Sequence, residues 1–136
     1  MTSRRGVVQW PTRDLARRVG EVAGDYRHIV IDTGRAPGDD DPILRQAMMA
    51  SDTVVIIPVA PSLMEVREFG RVLDMVDELQ PLHPLRVHVM LTRVRAGTNS
   101  AREAREGLAH LPLFDAQVGQ REVYAQAWGM VIWGLR

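Results

Sequence analysis

The sequence predicts an α/β protein, a three-layer sandwich around a mostly parallel sheet, and three observations carry that prediction. Short apolar runs rich in β-branched residues alternate with amphipathic stretches at helical period at least four times. The runs show no polar alternation, as expected of strands covered on both faces. The connections are short, as in βαβ units. With 136 residues, 46% apolar and 25% charged, the chain is one domain's worth of globular sequence, read as a single domain over 1–136.

Each element has its own signal. Thr12 to Ala23 places Leu15, Val19 and Val22 on one helical face. His28 to Asp32, His-Ile-Val-Ile-Asp, reads as a strand ending on a carboxylate. Asp41-Pro42 is an N-cap followed by proline at the first helical position, opening a helix through Ala50. Thr53 to Val59 is a second apolar strand. Ser62 and Glu65 form a capping-box pattern ahead of a stripe through Val66, Phe69, Val72, Leu73, Val76 and Leu79, and Pro81 and Pro84 punctuate its end. Arg86 to Thr92 reads as a third strand. Ser100 and Glu103 repeat the capping-box spacing before a helix to about His110. Leu113 to Val118 is a fourth strand and Arg121 to Trp128 a short helix. The apolar Met130–Trp133 close to the chain's end has the look of a cut domain.

Composition excludes several chemistries. Seventeen acidic residues balance seventeen basic ones, so net charge gives no argument for nucleic acid or a membrane surface. There is no cysteine, hence no disulfide and no thiolate metal site, which fits the cytoplasm. No secretory leader or membrane-spanning run is expected, since the longest apolar stretch, Val54–Ala60, is far too short. His28, His83, His88 and His110 show no zinc-ligand spacing; His28 and His88 read as core or sheet-edge residues. No serine elbow is present.

In open parallel sheets, ligands bind beyond the carboxyl ends of the strands, where Asp32, Pro58–Ser62 and Thr92–Arg95 all fall. Asp32 reads either as a turn carboxylate or as a Mg²⁺ ligand of the kind that bridges nucleotide phosphates. Asp39, Asp40 and Asp41 form a solvated acidic loop ending in a helix cap; their spacing matches no calcium loop. Arg93, Arg95, Arg102 and Arg105 read either as a phosphate-binding face or, with Glu103 and Glu106 among them, as a solvated mixed-charge surface.

Four blocks resemble ParA-type (ParA/MinD-like, deviant Walker A) partition ATPases. Asp25-Tyr26-Arg27-His28-Ile29-Val30-Ile31-Asp32-Thr33-Gly34 is similar to their Walker B region. Ala50 to Ser62 resembles the next strand and its proline-bounded loop. Leu91-Thr92-Arg93 falls where members carry an Asn-Arg or Thr-Arg pair, and Val118 to Ala127 resembles the C-terminal segment of small plasmid and actinobacterial members. The order and approximate spacing hold from about Asp25 to Trp133, the C-terminal two-thirds of the family domain.

The resemblance implies an incomplete P-loop NTPase-like fold and a cytoplasmic DNA-segregation ATPase. Such a protein forms a dimer with ATP and Mg²⁺, binds DNA non-specifically and is stimulated by a centromere-binding protein. It places Asp32 at the metal, Thr92, Arg93, Val118 and Gln120 at the nucleotide base, and Arg102, Arg105 and Arg121 at DNA. The family's lysine-bearing phosphate loop has no counterpart here, for the 136 residues contain no lysine at all. Because that loop supplies most of the grip on the phosphates, this chain alone is expected not to hydrolyse ATP. The alternative is a degenerate, non-catalytic ParA-like module acting through protein–protein contacts. With sheet edges left open, self-association or dependence on a partner is expected.

Overall fold

The computed structural model describes residues 6–10, 12–34 and 41–121, with backbone alone for 63–67. The elements run α1 (Leu15–Val22), a 3₁₀ turn (Ala23–Asp25), α2 (Pro42–Ala50), β1 (Val55–Val59), α3 (Leu63–Leu79), β2 (Val87–Val94), α4 (Asn99–Gly107) and β3 (Leu113–Gly119). The sheet is three-stranded and parallel, in the order β1-β2-β3, so the α/β class read from the alternation is the class observed. The chain divides into two compact units. One comprises residues 1–55 and 73–86, the other 56–72 and 87–136.

In the first unit, α1 and α2 bury a shared apolar face. Leu15, Val19 and Ala47 form its core, with Trp10, Ile31, Ile43 and Ala50 packed against them. The α2 start follows the sequence closely. Asp41 takes an extended backbone and accepts hydrogen bonds from the Ile43 and Leu44 amides at 3.1 and 2.9 Å, and Pro42 follows at the first helical position. Across the unit, Arg45 pairs with Glu78 at 2.7 Å. Ring nitrogen Nε2 of His83 lies 2.7 Å from the Ser51 carbonyl, tying the end of α3 to the end of α2.

The second unit holds the sheet. Val89 and Leu91 in the central strand β2 are completely buried, and Val94, Ile57 and Val59 nearly so. His88 stacks on Phe114 of β3 with ring centroids 4.8 Å apart. The β2–β3 register runs Val89↔Leu113, Leu91↔Gln117 and Val94↔Gly119. From Leu91 to Val94, β2 advances three residues while β3 advances two, so β2 carries one extra residue there. That is a bulge, and it sits at the carboxyl end of the strand.

Two expectations are corrected. His28–Asp32 is not a strand: residues 28–34 run without turn or bend, but no described residue is hydrogen-bonded to their backbone. An apolar run becomes a strand only where a neighbour supplies the ladder, and among the described residues none does. The α4 cap is Thr98, not Ser100; the Thr98 side chain accepts from the Ala101 amide, and Ser100 lies inside the helix with its hydroxyl donated to Thr98 Oγ1. Gly97, at φ +75°, makes the left-handed turn that delivers Thr98 to that position. All of the expected helix Arg121–Trp128 beyond its first residue lies outside the described residues, as do the apolar Met130–Trp133 and Asp39 and Asp40. No helix among the described residues is long and apolar enough to cross a membrane.

Candidate nucleotide-side rim

At the carboxyl end of β2, Leu91 and Val94 point into the core, which leaves Thr92 half-buried and Arg93 in solvent. Arg93 occupies the bulge with φ +52°, a left-handed conformation that costs a residue bearing a Cβ about 1–2 kcal/mol. The β3 register sets these two residues opposite the stretch from Gln117 to Gly119. Beyond it the chain turns back: the Gln120 amide donates to the Val94 carbonyl at 2.8 Å, and Arg95 Nε donates to Gln120 Oε1 at 3.1 Å. The Thr98 hydroxyl donates to the Arg95 carbonyl at 2.8 Å, fixing the loop on its other side.

Thr92, Arg93, Val118 and Gln120 therefore converge on one end of β2 and β3. Nothing in the sequence of Leu91-Thr92-Arg93-Val94 signals the bulge, because all four residues suit a regular strand. This end presents a left-handed bulge, the half-buried Thr92, the exposed Arg93 side chain and the Gln120 side-chain amide, whose oxygen already accepts from Arg95. Those are hydrogen-bonding and stacking groups suited to a planar heterocycle, with no general base among them to activate the threonine hydroxyl.

The arginines on α4 differ from one another. Arg102 is exposed and, among the described residues, its side chain makes local contacts, to Asn99 Oδ1 at 3.3 Å and Glu106 at 3.9 Å. Arg105 reaches β3, donating to the Phe114 and Asp115 carbonyls at 3.3 Å each and to Gln117 Oε1 at 3.1 Å. Its guanidinium fastens α4 to the sheet edge. Arg121 is exposed immediately beyond β3.

Asp32 belongs to the first unit. Its exposed carboxylate lines a groove of about 570 Å³, together with Trp10, Leu15, Val19, Tyr26 and Ile31. No group of three or more acidic or histidine side chains that could hold a metal occurs among the described residues. Asp32 can thus supply one oxygen ligand to a hard cation whose other ligands come from elsewhere. Asp41 is occupied as a helix cap.

A charged cluster forms in the first unit at the start of α1. Asp14, ahead of α1, accepts from the Thr12 hydroxyl and from Arg17 and Arg18, and these contacts hold its carboxyl well below the usual carboxylate range. Arg17 also pairs with Glu21, one turn on. The cluster is a solvent-facing brace of the helix start.

No protein-family model matches the sequence, and no curated protein matches it. Among solved structures, the chain shares its fold with a plasmid partition protein from Borrelia burgdorferi, with a TM-score of 0.59 and 24% sequence identity. The likeness covers 76% of this chain and 44% of that one, so the chain spans less than half the length of its structural neighbour.

Proposed function

We propose that this chain serves in DNA partitioning as a ParA-like protein, contributing the base-side half of an adenine-nucleotide site. The observation that carries the reading is the convergence of Thr92, Arg93, Val118 and Gln120 on one strand end. They do so within a fold shared with a plasmid partition protein. Four positions chosen by resemblance alone, two at Thr92–Arg93 and two at Val118 and Gln120, lie at the same end of the paired strands.

In this reading the base lies against the β2 bulge and the Gln120 turn of the second unit; Asp32, in the first unit, is by itself a candidate oxygen ligand for a hard cation such as Mg²⁺. The chain's own residues hold the base end. With no lysine in the 136 residues, the phosphate grip is supplied from outside them. Nucleotide-dependent dimerisation, non-specific DNA binding through Arg102 and Arg121 and stimulation by a centromere-binding protein follow as parts of the same proposal. The absence of lysine also favours a second reading, a non-catalytic ParA-like module that works through protein contacts alone.

Deleting the coding segment from its host tests the partition role. The proposal expects a raised frequency of cells that lose a replicon, restored by supplying the chain in trans. Unchanged inheritance of every replicon overturns it. ATP hydrolysis by the purified chain, after contaminating ATPases are removed, overturns the expectation that it is inactive alone.

A further inference from the structure

Arg95 lies one residue beyond β2 and is held at both its backbone and its side chain. Its carbonyl accepts from the Thr98 hydroxyl at 2.8 Å and from the Thr98 amide at 3.4 Å, the same Thr98 that caps α4. Its side-chain Nε donates to Gln120 Oε1 at 3.1 Å, while the Gln120 backbone amide donates to the Val94 carbonyl at 2.8 Å. Gln120 is thus tied by its backbone to the end of β2 and by its side chain to Arg95. All of these residues belong to the second unit.

The contact decides which way the Gln120 amide is turned. A carboxamide has an acceptor end and a donor end, and a guanidinium can only donate, so the oxygen is the atom that faces Arg95. The NH₂ group is left as the free end, with no partner among the described residues. A glutamine able to flip offers a ligand either end; this one offers a donor. The distinction matters for a purine. N1 is an acceptor in adenine and carries a hydrogen in guanine, whereas N3 and N7 are acceptors in both. A fixed donor therefore separates the two bases where it meets N1, because two donors facing each other leave a desolvated N–H unpaired.

We infer that Arg95 is a positioning residue, which holds the Gln120 NH₂ toward N1 of a bound adenine and so makes this strand end select adenine over guanine nucleotides. Arg95 acts through Gln120 and needs no contact of its own with the nucleotide. The inference rests on the base-side reading above and adds to it the residue that sets the choice of base.

The test is a titration of the isotopically labelled full chain with ATP and with GTP, in which shifts of the rim amides yield both dissociation constants for the parent, Arg95→Ala and Gln120→Glu. The ratio of the two constants is the readout, because a changed side-chain charge acts on both triphosphates alike and cancels in it. The parent is expected to bind ATP about tenfold tighter, the worth of one matched hydrogen bond. Gln120→Glu keeps the bond to Arg95 but replaces the donor with an acceptor, and its ratio turns to favour GTP. Arg95→Ala leaves Gln120 in place but lets its amide turn either way, which brings the ratio near one. Both positions are exposed, so the thermal unfolding of each variant remains that of the parent. Three results would overturn the role of Arg95 while ATP still shifts Thr92, Arg93 and Val118: a parent without preference, a ratio that Arg95→Ala leaves unaltered, or a Gln120→Glu chain that still favours ATP. Each leaves the base-side reading standing. Rim amides unmoved by ATP in the parent overturn that reading, and this inference with it.

Discussion

Replacing Leu91 with alanine probes the centre of the sheet. Leu91 is completely buried in β2, the middle strand, with Val89 equally buried two residues before it and Val94 close behind. The truncation removes three carbons from a site where strands on both sides limit collapse around the hole. Such changes cost about 2–5 kcal/mol, and the closed surroundings favour the upper half of that range. Against a total stability of about 5–15 kcal/mol for an ordinary domain, this is a large fraction. Urea unfolding followed by far-ultraviolet circular dichroism reads it directly. With a slope of about 1–3 kcal/mol per molar urea, a loss of about 3.5–5 kcal/mol lowers the midpoint by at least about 1 M. Leu82→Ala is the internal control: Leu82 is 75% exposed, and its loss changes stability by no more than about 0.5 kcal/mol. Equal midpoints for the two variants would refute the placement of Leu91 in a closed core.

Asp41→Ala removes the acceptor for two amides at the start of α2 and costs about 1 kcal/mol, while Asp41→Asn keeps most of it; thermal unfolding of the pair checks this. Arg105→Ala releases α4 from β3 and lowers stability by about 1 kcal/mol, whereas Arg102→Ala leaves it unchanged. If Arg102 meets DNA, its removal instead reduces the salt dependence of DNA binding by about one phosphate contact in a filter or anisotropy assay. The Asp14 carboxyl titrates below the usual carboxylate range because Thr12, Arg17 and Arg18 favour its charged form. A carboxyl depressed on folding stabilises the protein above its unfolded pKa, and that contribution is lost as pH falls through the folded value. Asp14→Asn therefore flattens the acid limb of the stability curve below about pH 4, the unfolded carboxylate range.

The sequence was most legible where short-range chemistry decides the structure. Asp41-Pro42 names a helix start because a carboxylate acceptor and a preset φ suffice there, without help from distant residues. The β-branched run ending at Val59 and the long stripe through Phe69, Val76 and Leu79 likewise became β1 and the buried face of α3. Legibility failed where the outcome depends on neighbours. His28–Asp32 carries every local mark of a strand, yet pairing is a property of two segments, and no described residue provides the second. Ser100 lost the capping role to Thr98 because Gly97 turns the chain two residues earlier than the capping-box pattern implies.

At the rim, the positions came from resemblance and their convergence from the fold. Leu91-Thr92-Arg93 looks like ordinary strand, and only the β2–β3 register reveals the extra residue that pushes Arg93 into a left-handed conformation. Arg105 shows the opposite case. By sequence it is one of several exposed helix arginines, and its reach to the β3 carbonyls depends on tertiary packing that spacing alone does not encode.

The most direct test of the account is amide chemical-shift mapping of the isotopically labelled chain titrated with ATP and, separately, with GTP. A base-side site predicts shifts concentrated at Thr92–Arg95 and Val118–Arg121 with ATP, and little response there to GTP. Shifts spread evenly over the chain, identical responses to the two nucleotides, or an unmoved rim at millimolar ATP would contradict the assignment of this strand end to an adenine nucleotide.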